Sequence, residues 1–259
     1  MGGLRAWLRL RDIGYGKQEF DSMTPQAIQA LKEEFWLMAD TTRTQTEYLA
    51  DAKLKALEHA SLDTLKRVFL QYRYFTIFYI SDLALLVYRL PFGKLRSLLA
   101  DFLNDELGNG HFEQAHHQVY DNFLMSIGIP ERELERKANQ ANLSLLGEIR
   151  ELVLEGSPWY GVGLRGMGGE CLCQVYLSAM HAHFVKNPVI QEMKERLDWA
   201  FWEIHTGDID IAHRELLRAA ITEMVDREPQ VLEELVGGYR KSKDVFDQFW
   251  NNIYQDAGL

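Results

Sequence analysis

The stretch "SLDTLKRVFLQYRYFTIFYISDLALLVYRL", residues 61–90, decides the fold. Its apolar side chains are dense enough to raise the question of a bilayer span, which needs about 20 uninterrupted apolar residues. Gln71, Arg73, Asp82 and Arg89 interrupt it too often for that. A buried core helix ending before Pro91 fits both the apolar density and the polar interruptions.

Working outward, the same helical periodicity continues on both sides. "SMTPQAIQALKEEFWLMA" opens with Thr24 as a helix N-cap and Pro25 at the first helical position. Helical patterns also cover "PFGKLRSLLADFLNDELG", "FEQAHHQVYDNFLMSIG", "PERELERKANQANLSLLGEIRELVLEG", the region around 166–186, "NPVIQEMKERLDWAFWEIH", "DIAHRELLRAAITEMV" and "EPQVLEELVGGYRKSKDVFDQFWNNIYQ". No Asn-Gly hairpin sits between alternating apolar runs. The six prolines punctuate the helical segments, and no repeat, linker or low-complexity tract is visible. The expected fold is all-α: one bundle-like domain of roughly eight to nine helices over residues 1–259, with 1–22 as an N-terminal extension.

A chain of 259 residues that is 47% apolar can bury a sizeable core without disulfides. Its two cysteines, Cys171 and Cys173, are too close in sequence to bridge readily, which fits a reducing cytoplasm. The net charge of −10 argues against nucleic acid as a partner. The arginine-studded N-terminus lacks the apolar core of a secretory signal, so a cytoplasmic protein with no membrane partner is expected.

Three segments carry residues suited to chemistry. In "FWEIHTGDIDIAHRELL", residues 201–217, Asp210 and His213 are three apart and share a helix face. His205 would lie about 140° from Asp210 on an ideal helix, the wrong side for a shared ligand. If Gly207 ends one helix and Asp208 opens the next, His205, Asp210 and His213 can converge; Asp208 is either the cap of that second helix or a rival to Asp210. The alternative is a solvated polar face.

In "NDELGNGHFEQAHHQVYDNFLMSIGI", residues 104–129, a Gly-Asn-Gly kink lies between Glu106 and His116. His111, Glu113 and His117 are also present, and spacing alone does not choose among them. The alternative there is an exposed loop, then an amphipathic helix with an ordinary Glu113/His117 pair. Finally, Glu170 follows four glycines within eight residues and precedes Cys171, Leu172 and Cys173. It is either a half-buried carboxylate needing a cationic partner or a helix-start Glu favoured by the dipole. Carboxylates and imidazoles in this number suit two first-row metals such as iron or manganese better than zinc.

Together the segments resemble the haem-oxygenase-like di-iron oxidases and oxygenases, over most of residues 65–215. "NDELGNG…AHHQVYDNFLMSIG" is similar to that family's helix pair carrying a Glu and a His ligand, matching Glu106 and His116. "GMGGE" is similar to its Gly-containing helix start with a ligand Glu, matching Glu170. "HTGDIDIAH" is similar to its His-x3-Asp-x2-His motif, matching His205, Asp210 and His213, though four residues here separate the first His from the Asp. The Asp-x2-His spacing favours Asp210 over Asp208. The family's first Glu ligand should fall near Ile77–Ile80, where this chain has none. Asp82 is the only acidic residue between 64 and 100, so it is either a shifted substitute ligand or the partner of a buried Arg such as Arg73 or Arg89.

The resemblance implies two Fe(II) ions, with Mn an option for one of them, and O2 as co-substrate. The implied reaction is oxidation of a small molecule, such as an amino acid, amine or carboxylic acid, by N-oxygenation, C–C cleavage or desaturation in a biosynthetic pathway. Arg165, five residues before Glu170, is a candidate clamp for a substrate carboxylate. Most aromatics of "QYRYFTIFY" are assigned to core packing, some to an apolar pocket. A homodimer is compatible with all of this. The competing readings are a metal-independent enzyme of the thiaminase II or pyrroloquinoline-quinone-synthase type, or a degenerate member that binds a ligand or partner.

Overall fold

A computed structural model describes residues 23–135, 138–206 and 208–259, with side chains for all of these except 208–211. The N-terminal extension 1–22, Gly207, and the side chains of Asp208 and Asp210 therefore lie outside the described residues. Among the described residues there is no strand, and no helix is long and apolar enough to cross a membrane.

The main helices are α1 (Pro25–Leu54), α2 (Leu62–Arg89), α3 (Lys94–Glu106), α4 (His116–Ser126) and α5 (Gln140–Glu155). A long rod, α6, follows in three pieces: α-helical Pro158–Gly161, π-helical Val162–Cys173 and α-helical Gln174–Phe184. Then come α7 (Ala200–His205), α8 (Asp208–Arg227) and α9 (Leu232–Ala257). Single helical turns fill several of the connections.

Residues 61–90 form the expected core helix. Ser61 caps α2 by accepting from the Thr64 N–H at 3.2 Å, and Leu65, Phe69, Tyr72, Phe75, Tyr79, Leu83 and Leu86 are buried along it. The polar residues that ruled out a membrane span each have a partner inside the protein. Arg73 makes a two-pronged pair with Asp121 of α4, Nε to Oδ1 at 2.5 Å and Nη2 to Oδ2 at 2.8 Å. Arg89 donates to the Val153 and Gly156 carbonyls at 2.6 Å, satisfying the C-terminal end of α5. Asp82, with no exposed surface, accepts from Arg150 Nε on α5 and from Arg165 Nε on α6, both at 2.9 Å.

Several expected helices are divided or begin elsewhere. Residues 131–155 break into Glu131–Leu134 and α5, which restarts where Asn139 caps the Asn142 N–H at 2.7 Å. Residues 188–205 break into Pro188–Met193, a tight turn at Lys194–Arg196, and α7, whose first residue Ala200 donates to Asp198 at 3.1 Å. The region around 166–186 starts earlier, at Pro158, and is π-helical where its glycines cluster. Close approach explains that composition. A Cβ on Gly163 would sit 2.2 Å from the Leu235 carbonyl oxygen, so α9 packs here against bare backbone. π-Helix of this length is rare and usually marks a functional segment.

Removing Asp82 would leave two guanidinium groups around an empty, dry site. Asp82→Ala is expected to cost about 3–5 kcal/mol in chemical denaturation. Asp82→Leu combined with Arg165→Met should recover most of it, because the uncompensated charge of Arg165 is gone.

Candidate metal centre

Glu106 is the last residue of α3 and His116 the first of α4, so the turn between them aims both side chains. That turn is left-handed at three successive residues: Gly108 (φ 79°), Asn109 (φ 54°) and Gly110 (φ 88°). A Cβ on Gly108 would strike the His111 carbonyl oxygen at 2.3 Å, so the position takes only glycine. The result is Glu106 Oε2 lying 3.1 Å from His116 Nδ1, with both side chains largely buried. Glu113 falls in the single turn Phe112–Gln114, before α4 begins, so it does not share a helix with His117 as the ordinary-pair reading required.

Glu170 arrives from the π segment, 8% exposed and in mid-helix rather than at a helix start. Its Oε2 is 3.5 Å from His213 Nδ1 on α8, and its Oε1 accepts from the Tyr79 hydroxyl at 2.6 Å. His213 stacks on Phe102 at 4.3 Å. His205 ends α7, and its ring stands edge-on to His116 with centroids 4.8 Å apart. Because α7 stops at His205 and α8 starts at Asp208, the two histidines of the last motif are freed from a common helical register.

Five of the six principal candidates thus come together. The sixth, Asp210, has its side chain outside the described residues. Glu106, His116, Glu170 and His205 line one small cavity together with Tyr72, Phe75, Tyr79, Cys173 and Phe201, with free space of about 40 Å³, enough for a few waters. Some of the "QYRYFTIFY" aromatics therefore do line a pocket.

The electrostatics divide the two carboxylates. Burial pushes Glu106 up, but His116, His205 and His213 outweigh it and hold the group below the usual carboxylate range. Burial pushes Glu170 up as well; hydrogen bonds from His213 and Tyr79 offset this only in part, and the Glu106 charge adds to the rise. Burial also holds the Tyr79 phenol well above its ordinary value, so it stays a donor. One carboxylate has its countercharge and the other lacks a full one.

The sequence profile of the iron-containing redox enzymes, a haem-oxygenase-like family, matches residues 66–247. The chain belongs to this family. Solved structures agree on its haem-oxygenase-like fold. A CADD-like protein of unknown function from Nostoc punctiforme is 16% identical, with a TM-score of 0.66 over 85% of this chain and 99% of that one. A domain of unknown function with a heme oxygenase-like fold from Shewanella denitrificans is 17% identical, with a TM-score of 0.64 over 89% and 93%. A TenA homolog from Pseudomonas syringae pv. tomato is 9% identical, with a TM-score of 0.62 over 85% and 93%. A search of curated proteins gave no significant match.

For an iron-containing family the donor set has to fit iron. Among the described residues, no three of these groups are already drawn round one point closely enough to grip an ion. The pairs are nevertheless spaced for it. Metal–ligand bonds of roughly 2.1 Å at right angles put neighbouring donors about 3 Å apart, and Glu106–His116 and Glu170–His213 lie at 3.1 and 3.5 Å. Mixed carboxylate and imidazole donors from several helices are the set that helical bundles use for iron.

Two candidates are not brought to the cluster. Asp82 is the buried-arginine partner, and its arginines are Arg150 and Arg165 rather than Arg73 or Arg89. That pairing also takes up Arg165, so its guanidinium is committed to Asp82 and does not line the cavity as a substrate clamp would. Tyr79 is the residue the sequence reading missed. It stands within Ile77–Ile80, where the family resemblance calls for a Glu, and reaches Glu170 from there. A Tyr at a position expected to be polar, inside a run of pure hydrocarbon, was the available signal.

Glu170 gives a pH test in protein stripped of metal. Its pKa is raised in the folded chain, so its contribution to stability is present below the unfolded value near 4.5 and is lost as pH rises through the folded value. Glu170→Gln should therefore gain Tm relative to wild type as pH goes from about 4.5 to 8; a constant difference across that range in thermal melts would contradict the assignment.

Proposed function

We propose that the protein is a non-haem di-iron oxidase or oxygenase that uses O2 to oxidise a small molecule, an amino acid, amine or carboxylic acid. One observation carries this reading: Glu106, His116 and Glu170 line one small cavity, Glu106 paired with His116 and Glu170 with His213 behind it, in a chain that belongs to an iron-containing redox family. Glu106, His116, Glu170, His205 and His213 would hold the metal, with Asp210 as the sixth ligand and Mn as an option for one ion. Bound iron would supply the electrons and the open coordination positions that O2 chemistry needs.

The chain's own residues account for the rest. Tyr79 keeps its proton and holds one oxygen of Glu170, which fixes the carboxylate's rotation and leaves Oε2 facing His213. The three imidazoles around Glu106 keep that carboxylate ionised, as a ligand must be. Phe75, Leu177 and Phe201 close the cavity with hydrocarbon, limiting water and strengthening each charge interaction inside. Tyr72 holds the Cys173 sulfur at 3.1 Å on the same cavity wall.

Of the metal-independent alternatives, the thiaminase II type requires an activated thiol. Burial, with Glu170 adjacent, instead pushes the Cys171 thiol up to about 12, the direction of an inert structural cysteine.

Anaerobic Fe(II) loading followed by metal analysis should give about two iron per chain, and His116→Ala or His213→Ala should each lower that value by half or more. The loaded wild type should consume O2 rapidly only when a substrate pool is added. Iron near zero in the wild type, unchanged in both variants, would sink the di-iron reading.

A further inference from the structure

A second cavity of about 290 Å³ shares a wall with the metal side of the protein. It is bounded by α1, the π segment, α8 and α9, and the shared wall is made of sequence neighbours. Glu170 lines the metal-side cavity while Cys171 lines this one, and Arg214 lines this one while His213 meets Glu170. Its volume is near the lower end of small-molecule sites.

The lining is mostly apolar, with Trp36, Ala39, Met167, Leu217 and Tyr239 as its body. The charged groups are unevenly matched. Arg218 is paired with Asp40 through both nitrogens, at 2.7 and 3.2 Å, and lies over the Trp36 ring at 4.5 Å. Arg43 donates to Gln174 at 2.8 Å and to Glu47, while its Nε is buried with no acceptor. Arg214 has no ion-pair partner among the described residues and is half-buried at the cavity. The other acid of the lining, Glu215, is exposed and solvated. An apolar chamber with an unmatched guanidinium and an unsatisfied buried N–H calls for an anionic acceptor on a hydrocarbon body.

We propose that this cavity binds a small organic carboxylate with an aliphatic or aromatic body, its carboxylate on Arg214 and Arg43 and its body against Trp36, Met167 and Leu217. A planar carboxylate matches the guanidinium fork, and its charge balances Arg214, which lacks an ion-pair partner among the described residues. Met167, Leu217 and Tyr239 give the cavity a buried apolar wall for the ligand's body. The site is separate from the metal-binding groups, so its occupancy does not require iron.

The test is calorimetric titration of the full chain, as purified and after anaerobic Fe(II) loading, with octanoate and 3-phenylpropionate and with their neutral primary amides. Carboxylates should bind at one site common to both preparations and present without iron, and the amides should bind there at least tenfold more weakly. Arg214→Gln should weaken carboxylate binding tenfold or more, Arg214→Lys less so, and Arg43→Gln should weaken it independently; circular dichroism checks that each variant folds. His116→Ala should bind as the wild type does. No carboxylate binding, equal binding of the amides, or loss in His116→Ala with Arg214→Gln unaffected would overturn the proposal. Because the titration does not depend on iron, its failure leaves the redox reading standing, and failed iron loading leaves this site standing.

Discussion

A carboxylate has to be carried into the dry middle of a helical bundle, and everything near the candidate centre depends on how Glu170 gets there. Its segment can run through the middle because its glycines let other chains press onto bare backbone. A Cβ at Gly168 would sit 1.9 Å from the Ser242 hydroxyl oxygen, and one at Gly169 would sit 2.3 Å from the Tyr79 ring. Those absent side chains are what allow α9 on one side and Tyr79 on the other to close in. Glycine is poor in a helix interior, and the helix here is wound as a π-helix along the whole glycine-rich stretch. Local helical stability is traded for position, as is common where a chain places a functional group.

The bundle contains two ways of stabilising a buried acid. Asp82 meets guanidinium groups from two helices, a neutralisation that is permanent because arginine does not release its proton at any ordinary pH. Glu106 and Glu170 meet imidazoles, which can exchange a proton for a metal ion, and Glu170 also meets a phenol that keeps its proton. That difference separates a structural carboxylate from one available for chemistry. It also explains how Asp82 could be read from sequence as a substitute ligand. Both kinds of acid look alike on an apolar helix until the partner's identity is known, and Arg150 and Arg165 lie 68 and 83 residues away along the chain.

What was legible in the sequence follows from how local each cause is. Caps such as Thr24 with Pro25, and Ser61, act within one turn, and they fixed the starts of α1 and α2 where the pattern placed them. The Gly-Asn-Gly turn that aims Glu106 at His116 is equally local, as is the end of α7 at His205. The breaks within 131–155 and 188–205 were missed although Asn139 and Asp198 signal them, because apolar periodicity ran on across the gaps. The π-helix and the Tyr79 hydroxyl on Glu170 depend on contacts between distant segments, and no short-range pattern encodes those.

The same geometry gives the two cavities a shared wall. Successive helical residues point in different directions, about 100° apart in an α-helix such as α8, so Glu170 with Cys171, and His213 with Arg214, each send one side chain toward the metal-side groups and the next to the second cavity. A group that filled the second cavity would bear on Cys171 and Arg214 and hence on the backbone that sets Glu170 and His213. Both donors of the less compensated pair stand on that shared wall, whereas Glu106 and His116 are held from the far side by their own left-handed turn. If a ligand there alters the centre at all, the effect should therefore fall on the Glu170–His213 side, because only that side shares its backbone with the second chamber.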